Sequence, residues 1–386
     1  MDARPELTAV PESPLVLIAT EAERTPGAIK LCYGESNLPT PAFICRAANE
    51  AMLAGHTFYT HTAGCPELRE AIAAKVFELH QTPYRPAEVM CTVGGSMAIY
   101  AAIRAFVGAK NNAVVVTPAY SIYANGVTMA GGQLRAVPLA FDGTRFQLDL
   151  DRIEHAIDRD TRMIIVNSPS NPTGWMITAR EQRALLDLAD QHDLMILSDE
   201  VYERLVFDAP VAPSFARVAG SHDRLVVVNS FSKTYNMTGW RLGWAQSSES
   251  TIRLMSSAVE FMTSNPAAMV QQAGIVALRD GDQHVREMRA HYAARRAQTV
   301  LAFGAMHGVT LAQPEGAFYA FPRIVGLENS SAMALAMLRE AGVALAPGAA
   351  FGESGEGHLR LCFAASEPVL TQALGRLHDF LKARQR

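Results

Sequence analysis

Four short apolar segments rich in Val and Ile set the architecture: Ala113 to Val116, Met163 to Val166, Leu194 to Leu197 and Leu225 to Val228. A strand with one wet face alternates apolar and polar residues, whereas these run almost without polar interruption and must be buried on both faces. That is the pattern of a mostly parallel sheet covered by helices. The intervening stretches carry helix starts. Pro66 and Glu67 open one that includes Leu68, Ile72 and Val76, and Thr178 with Glu181 forms a capping box ahead of Leu185 and Leu188. The fold class expected is therefore α/β.

From residue 285 the texture changes to a long helix, Val285 to Gly304, then strand-like pieces at Gly316 to Phe321, Val343 to Ala346 and Leu359 to Phe363, and a last helix. The expectation is a large unit over residues 41–284, a smaller α+β unit over 285–386, and a proline-punctuated N-terminal arm, residues 1–40, lying on the smaller unit. At 386 residues with 49% hydrophobic and 19% charged residues, the chain can bury such cores. Its 34 basic and 38 acidic residues are spread without runs of like charge, so neither nucleic acid nor a membrane surface is an expected partner. No basic and apolar leader opens the chain and no apolar stretch approaches the ~18 residues that cross a bilayer, so a cytoplasmic location is expected. The five cysteines lack metal or redox spacing and are read as small buried hydrophobes.

Chemistry-bearing residues gather just past the ends of apolar runs, where ligands of parallel sheets bind. Ser230-Phe231-Ser232-Lys233 follows one, with Gly239-Trp240-Arg241-Leu242-Gly243-Trp244 close behind. A lone lysine is usually a solvated charge, but one crowded at a sheet edge can lose its proton and attack a carbonyl to form a Schiff base. Asp199, in Ser198-Asp199-Glu200-Val201-Tyr202, could cap a helix or hold a protonated ring nitrogen. Asn167-Ser168-Pro169-Ser170-Asn171-Pro172-Thr173-Gly174 is a turn-rich loop whose Asn171 amide could reach a phenolate oxygen. Val93-Gly94-Gly95-Ser96 precedes a helix, where backbone N–H groups and the helix dipole suit one phosphate, and it lacks the G-x-G-x-x-G of a dinucleotide site. Arg360, opposite Leu359, Leu361 and Phe363 in alternation, could be a solvated arginine or a fork for a carboxylate. Together these requirements fit pyridoxal 5'-phosphate.

In order and spacing the motifs resemble the aspartate aminotransferase superfamily, the fold type I pyridoxal-phosphate enzymes of the class I and II aminotransferase group, from about Leu31 to the C-terminus. The resemblance implies that Lys233 forms the Schiff base and shuttles the α-proton, that Asp199 pairs with the pyridinium, and that Asn171 and Tyr202 hydrogen-bond the phenolic oxygen. It implies that Tyr120 stacks on the ring and that Gly95, Ser96, Ser230 and Arg241 hold the phosphate. Tyr59 is similar to the tyrosine that reaches the phosphate of a neighbouring subunit, which implies a homodimer with shared sites. Arg360 and Gly34 match contacts to the substrate α-carboxylate.

The activity implied is transfer of the amino group of a small L-amino acid to a 2-oxo acid, and the Asn171–Pro172 peptide is expected to be cis. Gly34-Glu35-Ser36-Asn37-Leu38 departs from the common Gly-Glu-Pro-Asp-Phe, and Ser96 stands where some acidic-substrate relatives carry lysine. Aspartate specificity is therefore not implied. A C–S β-lyase, a decarboxylase or a cyclopropane-forming enzyme would use the same residues, because the cofactor supplies the electron sink. A cofactor-binding regulatory domain lacks the DNA-binding segment it would need. A serine acylase reading of Ser230-x-x-Lys233 lacks its Ser-Asp-Asn and Lys-Thr-Gly partners.

Overall fold

The structure, a computed structural model, describes residues 4–219 and 224–384. Its centre is a seven-stranded sheet built from β1 (Val89–Thr92), β2 (Asn112–Thr117), β3 (Gln133–Pro138), β4 (Thr161–Asn167), β5 (Met195–Asp199), β6 (Leu225–Ser230) and β7 (Gly243–Gln246). The strands lie in the order β1-β7-β6-β5-β4-β2-β3. The run β6-β5-β4-β2-β3 is parallel, and β7 alone is antiparallel to both its neighbours.

The four apolar segments are β2, β4, β5 and β6, each a residue or more longer or shifted, as strand ends defined by pairing usually are. Their alternation shows why they carry no polar face. Val114, Ile164, Ile196 and Val227 pack into one core with Leu185 and Leu188, while Val115, Ile165, Leu197 and Val226 pack into another with Ile99 and Val259. Both sheet faces are thus covered. Cutting Leu185 back to Ala would cost on the order of 2–5 kcal/mol by the general scale for core leucines.

The sequence carries no strand signal at β7, whose residues stand out only as the glycine- and arginine-bearing tail of the lysine motif. Four residues starting at Gly and ending at Gln give too little periodicity to be seen, and β7 is held by its neighbours on both sides. Its register has a consequence for the site. Gly243 pairs with Thr92 of β1 and with Ser230 of β6, which brings the ends of those two strands to either side of one glycine.

The Thr178–Glu181 capping box is present in both directions, opening the helix Ala179–His192. The helix expected from Pro66 runs Pro66–His80, and the long helix begins earlier than expected, at Asp282–Gly304. Beyond it, β8 (Tyr319–Ala320), β9 (Ala346–Pro347) and β10 (Leu359–Cys362) form a small antiparallel sheet with β10 central. Of the strand expected over Gly316 to Phe321, only Tyr319 and Ala320, towards its C-terminal end, pair. Residues Ile29–Lys30 pair in parallel with Val343–Ala344, tying the N-terminal segment to this region, and Ile18 and Ala22 of the helix Pro14–Arg24 join the same core.

Four cysteines are buried as expected, but Cys45 is exposed, on a helix whose buried side is carried by Ile44, Ala48 and Ala51. Among the described residues no helix is long and apolar enough to cross a membrane.

Candidate active site

β4, β5 and β6 end side by side, with Asn167 in register with Asp199 and Asp199 with Val228. Three functional loops therefore leave the same sheet edge. They enclose a cavity of about 260 Å³ lined by Gly34, Gly95, Ser96, Tyr120, Asn171, Asp199, Tyr202, Ser230, Lys233, Arg241 and Arg360. These are eleven of the twelve residues that the sequence singled out. Tyr59 is the exception, 89% exposed and outside the cavity of its own chain.

One end of the cavity is shaped for an anion. Gly94 has a positive φ of 77° and starts the helix α1 (Gly95–Phe106), whose first N–H groups have no partner within the helix. A Cβ on Gly94 would fall 2.3 Å from the Arg241 guanidinium, and one on Gly243 would fall 2.5 Å from the Gly95 nitrogen. Glycine at both places lets backbone and guanidinium close on the same small volume. Arg241 is held by a 2.7 Å hydrogen bond to the Thr238 carbonyl and has a left-handed backbone, φ 54°, uncommon outside glycine. Ser230 accepts from the Ser232 amide, capping the helical turn that carries Lys233, and its hydroxyl donates to Leu242 O. Its hydrogen bonds go to Ser232 and Leu242 and not to Lys233, so no Ser–Lys pair is set up for acyl chemistry.

The middle holds the lysine and the carboxylate. Lys233 Nζ donates to the Gly34 carbonyl at 2.6 Å. Its side chain opens on the cavity, but surrounding protein desolvates it, and burial, aided by the positive charges of Arg360 and Arg241, lowers its pKa to about 8. Asp199 is buried and accepts from the Tyr123 hydroxyl at 2.6 Å and from the Val201 amide. Burial outweighs these hydrogen bonds and raises its pKa to about 6. A carboxylate so poised favours a cation beside it. Tyr202 and Tyr319 share a 2.7 Å hydrogen bond between hydroxyls, and burial pushes both phenols upward.

The third part centres on Arg360, 1% exposed, whose guanidinium lies between the rings of Tyr319 and Phe351 at 4.6 and 4.8 Å. It donates to Asn171 Oδ1 at 2.9 Å and to the Cys32 carbonyl, while its Nε has no partner. A buried cation with an unfilled donor is a place for an anionic guest.

The model of the family described as "Aminotransferase class I and II" matches residues 26–377. The chain belongs to that family. It is 37% identical to an aromatic-amino-acid aminotransferase 2 of Thermococcus litoralis, over 94% of each chain, and 37% identical to an aspartate aminotransferase of Pyrococcus abyssi, over 92% of each. The structure is similar to that of a single mutant of Thermus thermophilus aspartate aminotransferase, with a TM-score of 0.92 at 32% identity, covering 99% of this chain and 100% of that one.

This aminotransferase is accordingly a pyridoxal-phosphate enzyme with the fold type I architecture. The cavity fits that group in its own donor set: a lysine with a depressed pKa, a buried carboxylate, and a glycine-lined helix start facing an arginine.

Sequence reasoning missed Tyr123, Asn167 and Tyr319. Tyr123 lies in the first turn of α2 (Ile122–Met129), three residues after Tyr120, which precedes the helix and accepts from the Tyr123 amide, so the turn between them brings both to the cavity. Asn167 donates to the Asp199 carbonyl and accepts from the Asn171 amide, so it fastens β4's loop to β5. Tyr319 comes from β8, 117 residues from Tyr202, and nothing local signals it. The Asn171–Pro172 and Thr117–Pro118 peptides are both cis, as is Ser168–Pro169, which was not expected.

Proposed function

We propose that this aminotransferase transfers the amino group of a small L-amino acid to a 2-oxo acid with Lys233 as the residue that holds the cofactor and moves the α-proton. The observation that carries the reading is the company of Lys233: one cavity joins its depressed pKa, the Asp199 carboxylate and the partly unpartnered Arg360. When bound, pyridoxal phosphate supplies an electron sink for negative charge developing at the substrate's α-carbon. Asp199, oriented by Tyr123, holds a positive charge at the ring nitrogen. Gly95, Ser96, Ser230 and Arg241 bind the phosphate, and Tyr120 covers the ring.

Asn171 and Tyr202 act on the phenolic oxygen. Arg360, with the Gly34 backbone, grips the substrate carboxylate, fixing which α-carbon bond can break. A pKa of about 8 gives Lys233 roughly 300 times the neutral fraction of an ordinary lysine at pH 7, which suits a group that gives and takes protons. Residues 41–284 would carry the cofactor, with residues 285–386 and the 1–40 arm completing the substrate side.

A homodimer is part of the same reading. Leu53, Phe58 and Tyr59 expose apolar surface within one short segment, which suits burial against a second copy with Tyr59 reaching the partner's phosphate site. Five unpaired cysteines suit a reducing, cytoplasmic compartment.

The test is an amino-acid panel with a 2-oxo acid acceptor, following the new amino acid together with pyruvate and ammonia release. Stoichiometric transfer is expected. Ammonia release in place of a new amino acid would mean a lyase.

A further inference from the structure

We propose that the preferred amino donor has an uncharged, largely apolar side chain, which leaves the reaction cavity past Leu15. The proposal rests on the aminotransferase reading above and narrows it to a substrate class.

Among the described residues the cavity is lined by three cationic side chains, Lys233, Arg241 and Arg360. Each already has an anionic or covalent duty in the reading above. A dicarboxylic donor would bring a second carboxylate with no fourth cation to receive it, and an unpaired buried charge costs several kcal/mol. Ser96 offers only a hydroxyl there. The residues flanking Tyr59, 55–64, which would approach the partner's site with it, include no lysine or arginine.

Leu15 is the aliphatic residue that the N-terminal helix adds to the lining. The cavity's volume of about 260 Å³ lies below the ~300–1,000 Å³ usual for ligand sites, so cofactor and amino-acid backbone would fill it and a long side chain must extend outward. A second cavity of about 580 Å³ shares Tyr120 with the first. Pro14, Leu134 and Phe351 are among its walls, and its charged lining residues among those described are Glu12 and Glu353, both acidic. Both spaces therefore favour an apolar group over an anionic one.

The test uses the holoenzyme and the amino-donor half-reaction alone, read from the change in bound-cofactor absorbance, so no acceptor influences the result. L-phenylalanine, L-leucine and L-methionine are expected to exceed L-aspartate and L-glutamate in kcat/KM by about tenfold or more. Leu15→Arg should narrow that ratio by raising aspartate, and Leu15→Ala should narrow it by lowering the apolar donors. Each variant's bound-cofactor spectrum verifies that it is folded. Aspartate or glutamate equalling or exceeding the apolar donors would overturn the substrate class and leave the aminotransferase reading intact. No conversion of any donor would overturn both.

Discussion

At the scale of single residues, burial tunes Lys233 and Asp199 in opposite directions. Asp199 is a carboxyl whose pKa rises from an ordinary 3.8 to about 6 in the cofactor-free chain. Between those values the folded state binds the proton more tightly than the unfolded state, so stability falls as pH rises through the window and stays lower above it. The full cost is about 3 kcal/mol for a shift of that size. Asp199→Asn should therefore stabilise the cofactor-free protein, and the gain should grow by about 1 kcal/mol between pH 5 and pH 8. Urea unfolding of the cofactor-free pair at both pH values measures this, and a pH-independent difference would contradict it. The same variant should bind the cofactor poorly, because a neutral amide cannot hold a pyridinium. Residues such as Lys233, Asp199 and Arg241 were legible because each follows a recognisable strand or glycine signal. Tyr319 was not, because its contact with Tyr202 is created only when two distant segments dock.

At the scale of elements, β7 is the part that most constrains the anion-shaped end of the cavity. It places Gly243 against the Gly95 nitrogen and the Asn229 carbonyl, where an added Cβ would meet atoms at 2.5 and 2.9 Å, both backbone. Backbone cannot swing aside as a flexible side-chain tip can. Gly243→Ala should cost about 1–3 kcal/mol in stability, as overpacking generally does, and should weaken cofactor binding by displacing the α1 start. Thermal unfolding and a cofactor titration measure the two effects, and an unchanged cofactor affinity would argue against the role given to this contact. The parallel strands were readable from sequence because burial on both faces leaves an uninterrupted apolar run. β7 was not, since its place is fixed by pairing and not by its own four residues.

At the scale of the whole molecule, Tyr59 marks what one chain leaves open: its motif resembles a phosphate contact, yet it stands outside its own chain's cavity. If it serves the partner's site, two defective variants should complement each other. Mixing Tyr59→Ala and Lys233→Ala subunits would give hybrid dimers with one intact site, about a quarter of all sites in an even random mixture. Activity appearing on subunit exchange, with a mass in solution about twice 41.8 kDa, is the expected outcome. A monomer, or a mixture no more active than the Tyr59→Ala share alone, would contradict the shared site.

Lys233 is proposed both to anchor the cofactor and to move the proton. The direct measurement is the visible spectrum and turnover of Lys233→Ala after saturation with pyridoxal phosphate. Loss of the lysine-bound cofactor absorbance and a fall in turnover of several orders of magnitude, with the fold retained, are expected. Wild-type absorbance and turnover in that variant would contradict that role.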